Sequence, residues 1–356
     1  MAETPNPQTA DELAALVHAG ETLSGIELSG RDFAGADIGG AVFEKVDLSG
    51  CDLSGAKLAE SVFIECRFEG ATLSGANLHQ AIVSGCDFSG AKLDGARLSA
   101  AKFDSVTAPD LDLSGADLRA LTLTLSKLAN ARFTGAKLER TVLLKCDLAG
   151  IDLAGCKLLA VTMLEADLRE AKLAGASFER ATLVQAKLSG QVLRQMSFPL
   201  TQFTDGELGG VDFGGADLTQ ANFKGAKLVG SSLAQAKAPN CLFVEADLTQ
   251  VDLREAILTQ SMFLDATLDQ VNASGADMQQ CVLHRAQCRQ SALLRTNLTY
   301  ADFANADLSG SDFTGATMFR TNLHGVVDTG ATFTDRARAL ATDPELAAAE
   351  NFKPKF

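Results

Sequence analysis

The chain has 356 residues, enough for two ordinary domains, and 46% of them are apolar. It contains no Trp, one Tyr, 20 Phe and 31 Gly, so one aromatic type serves nearly every aromatic position. The use of a single aromatic type predicts that one kind of structural position recurs many times along the chain. The 45 acidic and 31 basic residues give a formal net charge of −14. That balance argues against direct nucleic-acid binding, because a phosphate-binding surface needs clustered Lys and Arg.

No apolar run approaches the roughly 18 residues that a membrane-spanning helix needs. The first residues, MAETPNP, show neither the basic start nor the apolar core of a signal peptide. We therefore expect a cytoplasmic protein without membrane contact, and export by a dedicated secretion system stays open.

Residues 1–20 are predicted to form a tail and a capping helix. Thr9 and Glu12 have the spacing of a capping box, and Leu13, Leu16 and Val17 follow on one helix face. An amphipathic helix at this place would cover the first unit of whatever follows it.

Residues 21–335 repeat with a period of five, as in DLSGC, KLDGA and DFTGA. A centre recurs at every fifth residue from Leu23 to Phe333, and Leu or Phe fills 53 of these 63 positions. Two residues before each centre, 55 of 63 positions hold Ala, Ser, Thr, Val, Cys or Gly. Of the 31 Gly, 27 lie on the register two residues after the centres, and 17 of the 20 Phe are centres.

A period of five fits neither a helix nor an alternating strand. It fits a short strand piece and a corner, with Gly third in a type II β-turn, where φ is positive. Four corners close a coil of about 20 residues, and coils stack about 4.8 Å apart through backbone hydrogen bonds. The centre and the small residue then point inward, and the other three residues point outward.

The pattern A(D/N)LXX over residues 21–335 resembles the pentapeptide-repeat family. The resemblance implies an all-β solenoid, a right-handed quadrilateral parallel β-helix of about 16 coils with short helical caps at both ends. Long repeat chains of this kind accompany type VI secretion spike proteins. Smaller relatives mimic duplex DNA and regulate DNA gyrase or other topoisomerases.

Two places in the repeat are predicted to be weak. Pro109 and Pro239 follow underfilled Ala centres and are expected to remove a ladder donor. In residues 191–210, Gln191 and Met196 fill small-residue positions and Pro199 is added, which predicts a bulge or slight bend within one domain. Residues 336–356 are predicted to be a C-terminal helical tail, with Asp343 as an N-cap before Pro344.

The residues that could carry chemistry suit structural roles better. Seven Cys occupy small inward positions and Cys288 occupies a centre, without the close pairs of a zinc site. His18, His79, His284 and His324 are interpreted as surface residues. We therefore predict no catalytic residue, no metal site and no cofactor, and we expect that the protein is not an enzyme.

Wrapping the chain at 20 residues puts an apolar stripe on one outward face. The 32 positions that flank the centres of that face hold 13 large apolar residues, and the other three faces together hold seven. A β-branched ladder that suits strands is one explanation. A stripe of this length is more typical of an interface. Its members are Val42, Val62, Ile64, Ile82, Val142, Leu144, Leu164, Val184, Leu242, Val244, Met262, Leu264 and Val282.

These features predict a non-enzymatic protein-binding scaffold or adaptor, which the resemblance extends to a secretion-system effector adaptor. The partner is another protein or a second copy in a homodimer. The alternative is a DNA-mimic regulator of DNA gyrase or another topoisomerase, because residues 201–335 hold 16 acids and 8 bases. A purely architectural protein without a fixed partner is a third interpretation.

Overall fold

The computed structural model describes residues 6–350 and 352. The chain divides into two compact units, Met1–Ala186 (unit 1) and Lys187–Phe356 (unit 2). Each is a parallel β-solenoid, and the chain makes about 16 turns with two short α-helices. This confirms the predicted fold class. Within the described residues, no helix is long and apolar enough to cross a membrane.

The regular elements are short because every fifth residue begins a new face. They are α1 Ala10–His18, β1 Leu23–Ser24, β2 Val42–Glu44, β3 Val62–Ile64, β4 Ile82–Ser84, β5 Lys102–Asp104, β6 Thr122–Thr124, β7 Val142–Leu144, β8 Lys157–Leu159, β9 Thr162–Leu164, β10 Ser177–Glu179, β11 Asp312–Phe313, β12 Thr332–Phe333, a 3₁₀ turn Arg336–Arg338 and α2 Pro344–Glu350.

Each strand pairs in parallel with the residues 20 positions later. In unit 1, eight strands form one sheet in the order β1-β2-β3-β4-β5-β6-β7-β9, with Phe43 opposite Phe63. Single bridges continue the same register on the other faces, as between Asp52 and Thr72 or between Lys57 and Asn77. The coil of 20 residues predicted from the repeat is therefore the repeating unit of the ladder.

The centres fill the interior as stacked columns. Phe203, Phe223, Phe243 and Phe263 lie in consecutive coils of unit 2, with ring centroids 4.8–5.0 Å apart and nearly parallel planes. These rings are completely buried. Phe suits this slot because it carries no polar atom that would need a partner between the coils.

The corners require left-handed backbone, and Gly is only one way to supply it. Gly35 (φ +69°) is the third residue of a turn that the Ala36 N–H closes on the Phe33 carbonyl at 3.1 Å. Among the described residues, the same corner register includes 35 non-Gly residues with positive φ, such as Ala160 (φ +52°) and Leu125 (φ +51°). Many corners therefore carry side chains outward at a local conformational cost.

The recurring Asp or Asn before each centre accepts a backbone hydrogen bond in the turn that follows the centre. The Asp52 carboxylate accepts the Ser54 N–H at 2.9 Å, and Asp212 accepts the Gly214 N–H at 2.9 Å. These bonds satisfy an amide that the ladder leaves unused. The Ser54 hydrogen bond lowers the pKa of Asp52, so this carboxylate is ionised at neutral pH.

The predicted loss of ladder donors at proline is wrong. Pro109, Pro199 and Pro239 occupy the position after a centre. Elsewhere in the repeat the N–H at this position donates to a side chain, as Ser54 does to Asp52, and not to a ladder carbonyl. Proline costs no ladder bond there. The ladder also continues through the proline carbonyls, since Gly90 and Gln220 donate to Pro109 and Pro239.

Short helices lie near both ends, as predicted. In α1, the Thr9 hydroxyl accepts the Glu12 N–H at 3.3 Å and Leu13 is fully buried. At the other end, Asp343 accepts the N–H groups of Glu345 and Leu346 at the start of α2.

The segment before α2 differs from its predicted helical form. After one 3₁₀ turn, Leu340 pairs with Asn322 as a further ladder rung, and the Leu323 N–H donates to the Leu340 carbonyl at 2.9 Å. The tail thus supplies partners to the last coil as extended backbone, because an open coil edge leaves amides unpaired. The bend expected within 191–210 stays a prediction.

We predict that Ala160→Gly stabilises the protein by about 0.5–1 kcal/mol, because an L-residue at positive φ costs more than the extra freedom of Gly in the unfolded chain. Gly230→Ala should destabilise by a similar amount, since Gly230 has φ +65° and open space for a Cβ. Denaturation midpoints by circular dichroism measure both. Ala154→Gly, outside the left-handed corners, is the control and should destabilise; stabilisation by Ala154→Gly would contradict the corner argument.

Candidate protein-binding face

The candidate site is the outward face that flanks the centres of β2 to β7, together with its counterpart in unit 2. The structure places all thirteen predicted stripe residues on the outside of their coils. Val42, Ile64, Ile82, Leu242 and Met262 are exposed, with Ile82 at 47%. The remaining eight are half-buried. Their role as an interface stays a prediction.

Two apolar patches lie on this face in unit 1. We call Val42, Val62, Ile64 and Ile82, on β2 to β4, patch A. The second, patch B, comprises Val142, Leu144, Leu164 and Val184. Within each patch the side chains come from paired strands, with Val42 opposite Val62 and Leu144 opposite Leu164. Lys102 and Thr122, on β5 and β6, separate the two patches along the sheet.

Sequence reasoning missed one member of patch B. Leu125 lies at a corner, is 60% exposed, and donates its N–H to the Leu144 carbonyl at 3.0 Å. We include it in patch B. The predicted stripe comprises only positions beside the centres, and a large aliphatic residue at a corner lies outside that definition.

The third patch, patch C, lies in unit 2 and comprises Leu242, Val244, Met262, Leu264 and Val282. Bridges join Leu242 to Met262 and Met262 to Val282 in the same register. The exposed fraction is 37% for both Leu242 and Met262. Below them the stacked Phe223, Phe243 and Phe263 rings hold the backbone of this face.

The corners beside patches B and C carry different charges. Patch B is flanked by Lys145 and Glu165 on one side and by Arg140 and Arg180 on the other, all exposed. Of these four groups, only Arg140 has an ion pair within 4.0 Å among the described residues, with Glu139 at 3.9 Å.

Patch C is flanked by the corner residues Glu245, Asp265 and Arg285 on the side that corresponds to Lys145. Asp265 is bound by Arg285, which lowers the Asp265 pKa. Glu245 lies 4.0 Å from Lys224, so it is only weakly paired. The other side carries the neutral amides Asn240, Gln260 and Gln280, and Gln260 donates to Gln280 at 3.0 Å.

Exposed apolar residues also occur on other faces. Val192 and Val327 are 68% and 53% exposed, on faces other than that of the stripe. Near the C-terminus, Phe319 stacks edge-on against Tyr300 at 5.7 Å, and the Arg338 guanidinium lies 5.4 Å from the Phe319 ring. This aromatic pair is thus engaged by the tail.

The cysteines lie in the core, where the sequence placed them. Seven of the eight are buried and Cys146 is half-buried. Burial raises the pKa of Cys241 and of Cys281 to about 12. The Cys241 thiol donates to the Leu218 carbonyl at 2.9 Å, which satisfies it without any ligand.

The interpretation of His324 as a surface residue is wrong. It is only 4% exposed, its Nδ1 accepts the Asp343 N–H at 3.2 Å, and its Nε2 lies 3.0 Å from a Glu350 carboxylate oxygen. The C-terminal tail covers this outward position of the last coil. His284, by contrast, is half-buried and pairs with Asp302 at 2.6 Å.

The described residues contain no cluster that could bind a metal ion, and two grooves described below lie outside the three patches. Within residues 6–350 and 352, no group of three or more His, Cys, Asp and Glu could hold a metal ion. A groove of about 810 Å³ lies between the last coil and the tail, lined by His324, Leu340 and Pro344. Another, of about 610 Å³, is lined by Arg119, Lys137 and other residues outside the three patches.

Coils of 20 residues, with a buried centre every fifth residue and a left-handed corner two residues later, define a parallel β-solenoid built from five-residue repeats. The family described as pentapeptide repeats matches eight copies, and the pentapeptide repeat region matches residues 216–293. These matches cover more than half of the chain, which belongs to the pentapeptide repeat family. The eight copies lie in residues 51–90, 84–119, 123–158, 163–195 and 296–335.

Solved structures of this family resemble the chain. Full-length QnrB1, a plasmid-mediated fluoroquinolone resistance protein, is 16% identical over 92% of this chain and 97% of its own, with a TM-score of 0.22. HetL, involved in heterocyst differentiation regulation in the cyanobacterium Nostoc sp. strain PCC 7120, is 23% identical over 67% and 88%, with a TM-score of 0.16. Rfr23 from the cyanobacterium Cyanothece 51142 is 21% identical over 44% and 91%, with a TM-score of 0.17.

At these TM-scores, the solved structures carry no argument about a partner or an activity. A search of curated proteins finds no match.

We predict that the native protein reacts with a thiol reagent such as Ellman's reagent at pH 8 far more slowly than the unfolded chain does. A thiol with a pKa of about 12 holds about a thousandfold less thiolate there than an ordinary cysteine. The eight thiols should all react after denaturation in guanidinium. Rapid reaction of Cys241 or Cys281 in the native state, located by mass spectrometry, would contradict their placement in the core.

Proposed function

We propose that this protein is a non-enzymatic scaffold or adaptor that binds another protein chain through its outward apolar face. The observation that carries this proposal is the concentration of apolar side chains in patches A, B and C. Exposed apolar residues scattered singly are ordinary on any surface, whereas contiguous patches are typical of interaction sites. Paired strands and bridges also hold these side chains in fixed positions, so binding would order few groups.

A binding role also suits the polar groups of the repeat. Catalysis by a carboxylate needs a pocket and a perturbed acid. Here the recurring Asp residues accept backbone amides of their own turns, as Asp52 and Asp212 do. The thiols of Cys241 and Cys281 stay protonated at neutral pH, which removes them as nucleophiles.

The finer role that we favour is an effector adaptor in type VI secretion, acting from the cytoplasm. It is supported by the resemblance to long repeat chains that accompany such systems. A flat face repeated over several coils would give an effector a contact surface without any change in the scaffold.

A second candidate is mimicry of duplex DNA toward a topoisomerase, because residues 201–335 carry twice as many acids as bases. Several of those acids are already neutralised in part. Asp252 binds Arg254, and Asp269 binds Arg289. A DNA mimic needs carboxylates that are free to meet a cationic groove, so we favour the adaptor.

We predict that Leu144→Glu combined with Leu264→Glu abolishes capture of the partner in a pull-down from the native cell. A charge in a desolvated apolar contact costs several kcal/mol unless it is paired. The β-type circular dichroism should not change, because both residues point outward. The control, Val192→Glu combined with Val327→Glu, places two charges on other faces of unit 2 and should capture normally. Equal capture by both double variants would refute the proposed face.

For the DNA-mimic candidate, we predict no inhibition of gyrase-catalysed supercoiling at micromolar protein and low salt. Low salt favours electrostatic binding, so it gives mimicry its best chance. Inhibition that disappears in high salt, and that a charge-neutralising variant such as Asp247→Asn with Asp307→Asn weakens, would favour the mimic over the adaptor.

A further inference from the structure

We propose that a second copy of this chain covers patches A and B, through a symmetric contact made by unit 1 alone. The eight-stranded sheets of the two copies meet face to face, with patch A of each copy on patch B of the other. This inference rests on the proposed function, because it names the occupant of part of the same face. It is carried by the order of the charges in the two corner columns beside these patches.

The geometry of such a contact follows from the register of the sheet. A two-fold axis parallel to the strands brings the same columns of the two copies together and reverses the order of the coils. When this axis passes through β5, that strand faces its own copy, β4 faces β6, β3 faces β7 and β2 faces β9. Both copies repeat at about 4.8 Å, so one matched pair of coils brings all the others into register.

The corner column that follows the strands carries both signs beside each patch. Lys45 and Glu65 lie beside patch A, and Lys145 and Glu165 lie beside patch B, all exposed and at positive φ. Lys45 holds Glu65 only at 3.8 Å, and in the part of the chain that the structure describes neither Lys145 nor Glu165 has an ion pair within 4.0 Å. In the register through β5, Lys145 faces Glu65 of the other copy and Glu165 faces Lys45. The axis makes each contact twice.

The corner column that precedes the strands matches in the same register. Glu60 (φ +60°) lies beside patch A, and Arg140 (φ +55°) lies beside patch B. The Arg140 side chain is 77% exposed and contacts Glu139 only at 3.9 Å. Arg140 then faces Glu60 of the other copy, and Arg180 faces Gly20. The two columns therefore bring opposite charges together and no like charges.

Inside these columns the apolar side chains of the two patches meet. Because β3 faces β7, Val62 lies on Val142 of the other copy and Ile64 lies on Leu144. An apolar centre within a polar rim is the usual anatomy of a protein–protein contact. Neither patch then remains exposed to water over these strands.

The neighbouring positions also fit this register. Leu125, which is 60% exposed, faces the corner Gly85, where no side chain competes for the space. Glu44 faces Leu164, and the Lys45 ammonium donates to its carboxylate at 3.2 Å. The charge of Glu44 is therefore compensated within its own chain.

The polar strand β5 between the two patches becomes the middle of the contact. Lys102 and Asp104 both point outward from it and are exposed. The flexible Lys102 side chain can cross to Asp104 of the other copy, and the axis supplies the reciprocal ion pair. Hydrogen bonds from the Thr124 and Ser105 hydroxyls lower the pKa of Asp104, so this carboxylate is ionised at neutral pH.

Neighbouring registers are disfavoured by the same corner charges. Sliding one copy by one coil brings Lys45 against Lys145 in one direction, and Glu65 against Glu165 in the other. Like charges at the edge of an apolar contact select against such pairings. The register through β5 is therefore the favoured one.

The parallel arrangement is disfavoured too. A two-fold axis along the stack of coils places each coil on its own equivalent and the column after the strands on the column before them. Lys145 then faces Arg140, and Glu65 faces Glu60. The antiparallel contact avoids both repulsions and closes at two chains.

The test is the solution mass of the full chain, measured by light scattering and by sedimentation over a concentration series. We expect a dimer of the 37.3 kDa chain that weakens as salt rises. Arg140→Glu or Glu60→Arg alone places like charges at two symmetric contacts and should raise the dissociation constant about tenfold or more. The double variant exchanges the two charges and should restore the dissociation constant to within about threefold of the native value.

Two controls separate this contact from other effects. Lys157→Glu makes the same change in charge on another face of unit 1, where the ladder neighbours are Lys137 and Ser177, and should leave the dimer unchanged. Leu264→Glu changes patch C and should also leave it unchanged, whereas Leu144→Glu should abolish it.

A native chain that stays monomeric at about 100 micromolar would overturn the dimer. So would a dimer that both single reversals leave intact, or one that the double variant fails to restore. Loss of the dimer in Leu264→Glu would overturn its assignment to unit 1. None of these results removes the proposed function, which fails only if Leu144→Glu with Leu264→Glu leaves partner capture unaltered. A monomer whose capture of another protein depends on those two leucines would overturn the dimer and identify a different protein as the occupant.

Discussion

The left-handed corner at every fifth residue is the constraint on which this structure depends. Because the backbone turns there, each face is only three residues long before the chain changes direction, and four faces close a coil. The 20-residue pairing then follows, since the inward side chains stack only on their equivalents one coil away. Stability in such a fold is a sum of neighbouring contacts between coils. Gly supplies many of the corners, yet Ala160 and Leu125 adopt the same conformation, so the ladder compensates for unfavourable corners.

The fold could be predicted because its signal is periodic and every repeat adds to it. Single exceptions such as Ala238 or Cys288 do not disturb a register that the other repeats maintain. The same regularity made the inward thiols and the outward stripe predictable, because inside and outside alternate in a known order. Proline was misjudged for a related reason, since the period alone does not tell which amides of the repeat enter the ladder.

Features outside the period were not predictable in this way. His324 is buried by a tail that carries no repeat, and its surroundings depend on where Asp343 and Glu350 fold back. Leu125 was not predicted to belong to the apolar stripe, because the corners were expected to be Gly positions. The different charges beside patches B and C were also not predicted. They depend on side-chain contacts that the repeat pattern does not determine, namely Arg285 with Asp265 and Lys224 with Glu245.

The 20-residue register also restricts how a chain of this kind can change in length. Removing five residues between patches A and B would keep every centre and corner in phase, yet it would turn all later positions by one face. Patch B would then leave the face that patch A occupies in unit 1, although the core would remain well filled. Only the gain or loss of a whole coil keeps both patches on one face. Length variation that preserves the fold therefore differs from length variation that preserves the face, and lineages that use such a surface should gain and lose residues by twenties rather than by fives.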